Sequence, residues 1–458
     1  MSDAVAAAGG EDAPTVPVTL PVGRDAGASL SLSALLAYGA LGLPLAFAAL
    51  PIYVHVPQLY ADGLGMSLAA VGLILLGARI VDALTDPLIG WASDRLAGRR
   101  ALIVAGLPLL ALGMVGLLAP PQGAGALWLA ALLVMVSLGY SMATISYNAW
   151  GAEVAATPLG RTRVVASREG FALVGVVLAA VLPSVLAGSG GEAGGLARLS
   201  LVFLPLLAIG GAWTLLAAPL PPQRARGHRP VLRDLAAALA YRPFARLLAV
   251  FAANGIAAAI PSATVLFFVA DVLQARELAG LFLVLYFLAA ALSLPLWVAI
   301  SRRVGKLRGW LAGMVLAIAV FAWAGMLGSG DLWAYAVICV LSGAALGSDL
   351  SLPPSILADL LARSAPAGES RTGASFGWWN FVTKANLALA AGLALPLLAA
   401  LGYTPGGTDG AGTRALALVY AGVPVVLKLG AIALLWRWRE ALEPGVASAA
   451  EPIYGGSK

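Results

Sequence analysis

The sequence predicts an all-α membrane protein with twelve transmembrane helices in two six-helix halves. The chain of 458 residues is 60% hydrophobic and only 11% charged, whereas soluble domains carry about 25% charged residues. Apolar segments of about 20 residues, the length that spans a bilayer, recur along the chain. The basic residues concentrate in every second loop, which is typical of a protein that crosses the membrane many times.

Twelve apolar segments have the length and composition of membrane-spanning helices. Their expected boundaries are 32–54, 67–91, 101–119, 125–150, 164–187, 199–219, 244–270, 278–300, 310–328, 332–359, 373–401 and 415–436. They do not show the alternating polarity that is typical of a membrane β-barrel strand.

The distribution of charge between the loops predicts the orientation. The loops after helices two, four, six, eight and ten contain 17 Lys and Arg residues, and the opposite loops contain only Arg198, Arg276 and Arg414. Basic loops stay inside the cell, so we expect both termini in the cytoplasm of a multi-pass inner-membrane protein. Residues 1–30 lack the pattern of a signal peptide and predict a disordered cytoplasmic tail, and residues 438–458 form the second tail.

A weak internal repeat supports two related halves, 31–219 and 244–437, joined by a basic, proline-rich cytoplasmic loop, 220–243. The sequence PLIGWASDR after helix two leads into a Gly-Arg-Arg turn, and PLWVAISRR after helix eight leads into a Gly-Lys turn. Two six-helix halves with a site between them, near the membrane midplane, form the major facilitator arrangement.

Helix two carries charges at a depth where charges are costly. Arg79, Asp82 and Asp86 lie at spacings of i, i+3 and i+7, so they share one helix face, and Thr85 adds a hydroxyl. Each charged residue at a helix centre costs on the order of 2.5–3.5 kcal/mol. The pattern therefore predicts a site for a small hard cation or a proton. The alternative is a structural set of charges in which Arg79 and Lys384 neutralise the two acids.

Other classes of function are not supported by the sequence. The single cysteine, Cys339, forms no internal disulfide, and we find no nucleotide-binding loop, metal-ligand cluster or nucleophile–base pair. The net charge of +6 comes from the orienting loops and does not indicate nucleic-acid binding. We expect a monomeric transporter, not an enzyme, with a small-molecule substrate, the lipid bilayer as its surroundings, and no cofactor apart from a coupling Na⁺ or H⁺.

Residues 77–91, GARIVDALTDPLIGW, resemble the second-helix signature of the glycoside–pentoside–hexuronide:cation symporters, a melibiose permease-like family of the major facilitator superfamily. Three further matches follow the order of that family: YGA at 38–40, LAD at 357–359, and Lys384 in helix eleven. The resemblance extends from residue 38 to about residue 428.

The resemblance implies roles for individual residues. Asp82 and Asp86 match the acids that bind the coupling cation, Ser141 matches a hydroxyl that assists them, and Lys384 matches a lysine near that site. Arg168 matches an arginine close to the sugar site. The loop after helix two matches the facilitator gating loop through Asp94, Arg95, Gly98 and Arg100. We expect Asp82, Thr85, Asp86 and Ser141 to bind the cation, with Lys384 and Arg79 as counter-charges.

The sugar-binding part of the family pattern is changed in this chain. Sugar-binding members carry acids in helices one and four, where this chain has Pro44 and Thr144, and a helix-four tryptophan is Asn148 here. The resemblance therefore supports coupled transport more firmly than it supports any one sugar. A lysolipid or amphiphile symporter is one alternative, and a membrane scaffold or sensor without transport is another.

We expect the substrate site to combine six side chains: Thr144, Asn148, Arg168, Asp349, Trp379 and Asn380. Asp349 inside helix ten either pairs with Lys384 or contacts the substrate. Trp379 either packs against lipid or stacks on a flat ligand. A wide apolar cleft near Phe267, Phe268 and Trp379 would favour an amphiphile, and a closed polar cavity would favour a sugar.

Overall fold

The computed structural model describes residues 30–95, 98–186, 191–220, 230–364, 371–406 and 410–443. These residues form twelve long helical segments and no β-strand, which confirms the predicted fold class. The segments are α1 (Leu32–Gly39 and Gly42–Gln58), α2 (Leu68–Arg95), α3 (Arg99–Leu118), α4 (Ala126–Val154), α5 (Pro158–Leu186), α6 (Gly191–Ala217), α7 (Arg242–Phe267), α8 (Ala279–Val304), α9 (Lys306–Ala324), α10 (Leu332–Ser364), α11 (Thr372–Ala400) and α12 (Gly410–Ala417 and Val423–Arg437).

Eleven helical segments in the described residues are long and apolar enough to cross a membrane. The segment outside this group is α2, which has 28 residues but carries Arg79, Asp82 and Asp86. Helix α2 is therefore long enough to cross a membrane, and it differs from the other eleven segments in its charged residues. It packs closely against α4 and α11. Asp82 and Asp86 are buried there, whereas Arg79, which was expected to share their face, is exposed.

Three short π-helical segments accompany α1, α7 and α12. Two of them follow the C-terminal ends of α1 and α7, and the third joins the two parts of α12. They span Leu59–Gly63, Phe268–Val272 and Leu418–Gly422. Such segments occur frequently at functional positions.

Contacts between the two predicted halves are made by α2 with α11, by α5 with α8 and α10, and by α4 with α10 and α11. One hydrophobic cluster contains only residues between 35 and 218, and another contains only residues between 259 and 421. A third cluster joins Ile145 and Ala149 of α4 to residues of α7 through α12. Each predicted half thus has its own core, and the third cluster connects them.

The internal repeat has a structural counterpart at the starts of α3 and α9. Gly98 before α3 has φ 76° and ψ 164°, and Gly305 before α9 has φ 90° and ψ 159°. Only glycine adopts this conformation without strain, so both turns depend on it. The residues that follow, Arg99 and Lys306, are both buried.

The central loop contains a helix that was not predicted, Val231–Ala240. Asp234 in its first turn is buried and lies 2.7 Å from Nε of Arg95. Trp378 of α11 donates a hydrogen bond to the carbonyl oxygen of Leu235. These contacts attach the central loop to the ends of α2 and α11. Residues 221–229 of the predicted loop lie outside the described residues.

Candidate cation site and central cavity

Lys384 of α11 lies between the two carboxylates of α2. Its Nζ atom is 2.7 Å from Oδ2 of Asp82 and 2.8 Å from Oδ2 of Asp86. Both carboxylates are buried, and Asp86 has no solvent exposure. The interaction brings together the predicted acids and the predicted counter-charge from opposite halves.

Two neutral side chains complete this cluster. Ser141 of α4 donates a hydrogen bond to Asp82 over 3.0 Å and accepts one from Lys384 over 2.9 Å. Asn380 of α11 donates to Oδ2 of Asp86 over 2.8 Å. Asn380 was expected to contact the substrate, and it lies instead among the expected cation ligands.

The other two expected members occupy the edge of the cluster. Thr85 donates its hydroxyl proton to the carbonyl oxygen of Asp82, one turn back in its own helix, over 3.0 Å. Arg79 and Asp82 line the same small pocket between α1, α2 and α4, together with Tyr140. Lys384 contacts both carboxylates.

A cavity of about 590 Å³ lies between the two groups of helices. One wall comes from α1, α4 and α5, and the other from α7, α8, α10 and α11. Four of the six expected substrate residues line it: Thr144, Asn148, Arg168 and Asp349. The volume falls within the range of about 300–1,000 Å³ that is typical of small-molecule sites.

Arg168 organises the first wall of this cavity. Its Nε donates to Oε1 of Glu169 over 2.9 Å, and its terminal nitrogens donate to Glu169 and to the side-chain oxygen of Asn148. The hydroxyl of Thr144 is buried and has no hydrogen-bond partner among the described residues. This wall therefore combines an ion pair with an unsatisfied hydroxyl.

The aromatic residues are arranged differently from the expectation. Trp379 is buried and stacks on Phe251 with 3.7 Å between ring centroids, and Phe251 is the ring that lines the cavity. Phe267, Phe268 and Trp379 are not among the residues that line this cavity. Trp379 thus packs behind Phe251 and does not line the cavity.

Asp349 does not pair with Lys384, which corrects one of the two expectations for this residue. It lies 3.1 Å from Nζ of Lys428 in α12 and accepts a hydrogen bond from Trp310 over 2.8 Å. Lys428 also donates to Asn254 over 2.7 Å. Lys428 was not among the predicted site residues, although a lysine within the apolar segment 415–436 was the available signal.

A comparison with known protein families agrees with this arrangement. Residues 35–439 match the family described as MFS/sugar transport protein. The chain belongs to that family. It is a secondary transporter and not an enzyme, and it spans the membrane many times.

Solved structures with similar folds are also transporters. A bacterial homologue of the iron transporter ferroportin, in an outward-facing state, has a TM-score of 0.66 at 17% identity, covering 90% of this chain and 100% of that chain. The E. coli fucose:proton symporter has a TM-score of 0.65 at 14% identity, covering 87% and 98%. A human organic anion transporter has a TM-score of 0.62 at 20% identity, covering 88% and 98%. At these identities the likeness shows the fold alone.

In this transporter, Asp94 joins the basic-loop ends of α2, α3 and α11. It accepts a hydrogen bond from Arg99 over 2.6 Å, and from the backbone N–H groups of Gly373 and Ala374 over 2.9 and 2.8 Å. Arg99 also binds Glu153 at the end of α4 over 2.8 Å. Arg99, which was not among the predicted gating residues, is the centre of this network.

The other predicted gating residues have separate contacts. Arg95 binds Asp234 of the central-loop helix. Arg100 donates to the carbonyl oxygen of Leu215 at the end of α6. Gly98 supplies the left-handed turn that begins α3.

An equivalent network occurs at the basic-loop end of the second half. Lys306 lies 2.5 Å from Asp359 at the end of α10. This pair corresponds to that of Arg99 with Glu153 at the end of α4 in the first half. Arg161 of α5 binds the second oxygen of Asp359 over 3.0 Å. This contact joins the two halves. Asp94 of the first half binds α11 of the second, and Asp359 of the second half binds α5 of the first.

Glycines bring the backbones of α2 and α11 into contact at the same end. A Cβ atom at Gly90 would overlap the carbonyl oxygen of Gly373. A Cβ atom at Gly377 would lie 2.7 Å from the carbonyl oxygen of Asp86. Ion pairs and close helix packing together close the space between the halves at the basic-loop end.

Proposed function

We propose that this protein is a cation-coupled symporter that imports a sugar or glycoside-like solute by alternating access. The observation that carries the proposal is the position of Lys384, whose ammonium group contacts Asp82, Asp86 and Ser141. Carboxylate and hydroxyl oxygens are the ligands that hard cations prefer. Na⁺ and the lysine ammonium group carry the same charge and compete for these oxygens.

The competition provides a means of coupling. Without a bound cation, Lys384 contacts both carboxylates and compensates one of their two negative charges, so the empty carrier reorients with less uncompensated buried charge. When Na⁺ binds the carboxylates, or a proton binds one of them, the attraction for Lys384 falls. Because Lys384 belongs to α11 and the acids belong to α2, this change acts directly on the contact between the halves.

The same contact determines access to the cavity. With the predicted orientation, the basic-loop end faces the cytoplasm of an inner-membrane protein, and the described conformation is closed on that side. Opening to the cytoplasm requires separation of Asp94 from α11 and of Asp359 from Arg161. These are ion pairs and hydrogen bonds that a conformational change exchanges for contacts with water.

The composition of the cavity supports a solute of sugar or glycoside size. Both walls present hydrogen-bonding groups, including Arg168 and Asn148 on one side and Asp349 on the other. Aromatic rings such as Phe251 supply the flat apolar surface on which a sugar ring packs.

A second candidate is a lysolipid or amphiphile symporter on the same fold. More than half of the residues that line the cavity are apolar, among them Leu173, Phe287 and Leu350. Against this candidate, Phe267, Phe268 and Trp379 do not contribute to the lining. Saturable uptake of a labelled lysophospholipid, with no uptake of labelled sugars, would support the second candidate over the first.

The decisive experiment is titration of the purified protein with Na⁺ by calorimetry, together with measurement of proton release. We expect saturable binding that is lost in Asp82→Asn and in Asp86→Asn. The matched control is Asp331→Asn, since Asp331 is an exposed acid that accepts a hydrogen bond from the nearby Gly328 N–H and lies outside the cluster. If the wild type bound neither Na⁺ nor protons, the cluster would be a structural set of charges and not a coupling site.

A further inference from the structure

The second wall of the central cavity holds a buried ion pair that the cation site does not use. Lys428 lies 3.1 Å from one oxygen of Asp349, and Trp310 donates to the other oxygen over 2.8 Å. The Lys428 side chain is 2% exposed and does not line the cavity, whereas that of Asp349 is 14% exposed and does line it. The carboxylate is therefore the member of the pair that a solute reaches.

Stability alone does not explain this pair. Removing a lysine and a carboxylate from water is costly, and apolar residues of similar volume are often at least as stable in their place. The contacts have a specific effect on Asp349, however. Lys428 and Trp310 each hold one of its oxygens, and each oxygen retains the capacity for a further hydrogen bond. Asn254 holds Lys428 in position over 2.7 Å.

The charge balance of both walls indicates the class of solute. A cationic group that approaches Asp349 also approaches the ammonium group of Lys428, so the attraction is largely cancelled. On the opposite wall, Arg168 is likewise paired with Glu169. An uncharged hydroxyl group meets no such repulsion and donates a charge-assisted hydrogen bond to either carboxylate.

We propose that Asp349 is the residue of the second wall that accepts hydrogen bonds from the solute, that Lys428 is its positioning residue, and that the solute is neutral and polyhydroxylated. The inference rests on the proposed function of the cavity as the transport site. Lys428 holds the Asp349 carboxylate in position, and it makes the wall select against cationic solutes.

The test uses the full-length purified protein and a panel of neutral sugars, namely glucose, galactose, xylose, maltose and 4-nitrophenyl hexosides. 2-Amino-2-deoxyglucose serves as the cationic counterpart of glucose. Binding is measured by calorimetry with and without Na⁺. The variants are Lys428→Met and the double variant Asp349→Asn/Lys428→Met, in which the pair is neutralised without leaving a buried charge. The matched control is Ser351→Ala, since Ser351 is buried on α10 and its hydroxyl donates to its own helix.

We expect at least one neutral sugar to bind the wild type, and amino sugars to bind at least ~10-fold more weakly. Loss of the charge-assisted contact in the double variant lowers neutral-sugar affinity by about 10- to 100-fold, and Ser351→Ala leaves it unchanged. In Lys428→Met the bare carboxylate shifts selectivity toward the amino sugar. A purely structural role would not produce this change in selectivity.

Two results overturn the inference. One is a double variant that binds neutral sugars as the wild type does. The other is a wild type that binds no neutral sugar of the panel, or that binds the amino sugar more tightly than the neutral sugars. Na⁺ binding that persists in these cases leaves the proposed cation coupling intact. Sugar binding that depends on Asp349 in the absence of any Na⁺ or proton binding refutes the coupling and retains the inference.

Discussion

Lys384 donates a hydrogen bond to Asp86, a carboxylate without solvent exposure that lies 298 residues earlier in the chain. The bond crosses the contact between α11 and α2. A buried carboxylate requires a compensating charge, because an unpaired charge in a low-dielectric interior is costly. Lysine and a coupling cation are alternative sources of that charge. A single side chain on α11 thereby links the occupancy of the cation site to the contact between the halves.

Replacement of Lys384 by methionine separates two steps of transport. We expect net uptake into proteoliposomes to fall by at least ~10-fold, because the empty carrier then has two uncompensated acids and reorients slowly. Exchange of internal for external substrate does not require the empty carrier and should persist, and Na⁺ affinity should rise. Equal losses of net uptake and exchange would contradict a role for Lys384 as the replacement for the cation.

Replacement of Ser141 by alanine tests the neutral ligand of the cluster. Its hydroxyl contacts both Asp82 and Lys384. Loss of a hydrogen bond to a charged group costs about 1.5–3 kcal/mol, so we expect Na⁺ affinity to fall by ~10-fold or more in calorimetry. Ser146→Ala, a buried change on the same helix outside the cluster, provides the control. Unchanged Na⁺ affinity in Ser141→Ala would remove this residue from the cation site.

Replacement of Asp94 by alanine opens the basic-loop end. The change removes the acceptor for Arg99 and for two backbone N–H groups of α11. Loss of one partner of a buried pair costs about 3 kcal/mol, here mainly in the closed conformation. We expect a cysteine at Thr144, in a Cys339→Ser background, to react faster with an impermeant maleimide added from the basic-loop side. An unchanged rate would show that Asp94 does not close this end.

Replacement of Gly90 by alanine tests the helix contact without altering charge. The new Cβ atom would overlap the carbonyl oxygen of Gly373, so α2 and α11 must separate at a cost of about 1–3 kcal/mol. We expect the same increase in maleimide reactivity of the cavity cysteine. Gly77→Ala is the matched control on α2, since among the described residues a Cβ atom at Gly77 would have no atom of another helix within 4 Å. Equal reactivity of the two variants would contradict the proposed role of the contact.

The sequence by itself determined the membrane class, the helices and the acids of α2. These features are local, because hydrophobic length specifies a membrane helix and the spacing of Asp82 and Asp86 specifies one helix face. The resemblance to a transporter family added Lys384 and Ser141, which the structure brings to the same acids. The internal repeat in the sequence pairs Gly98 with Gly305, and both glycines have the same backbone conformation in the structure.

Only the tertiary structure decided which charges meet. Asp349 pairs with Lys428 and not with Lys384, Asn380 joins the cation cluster, and Trp379 packs behind Phe251. The sequence contained each of these residues but not the distances between them. Partners on helices that are far apart in the chain are selected by the rotation and packing of those helices, and no spacing along one segment encodes that geometry.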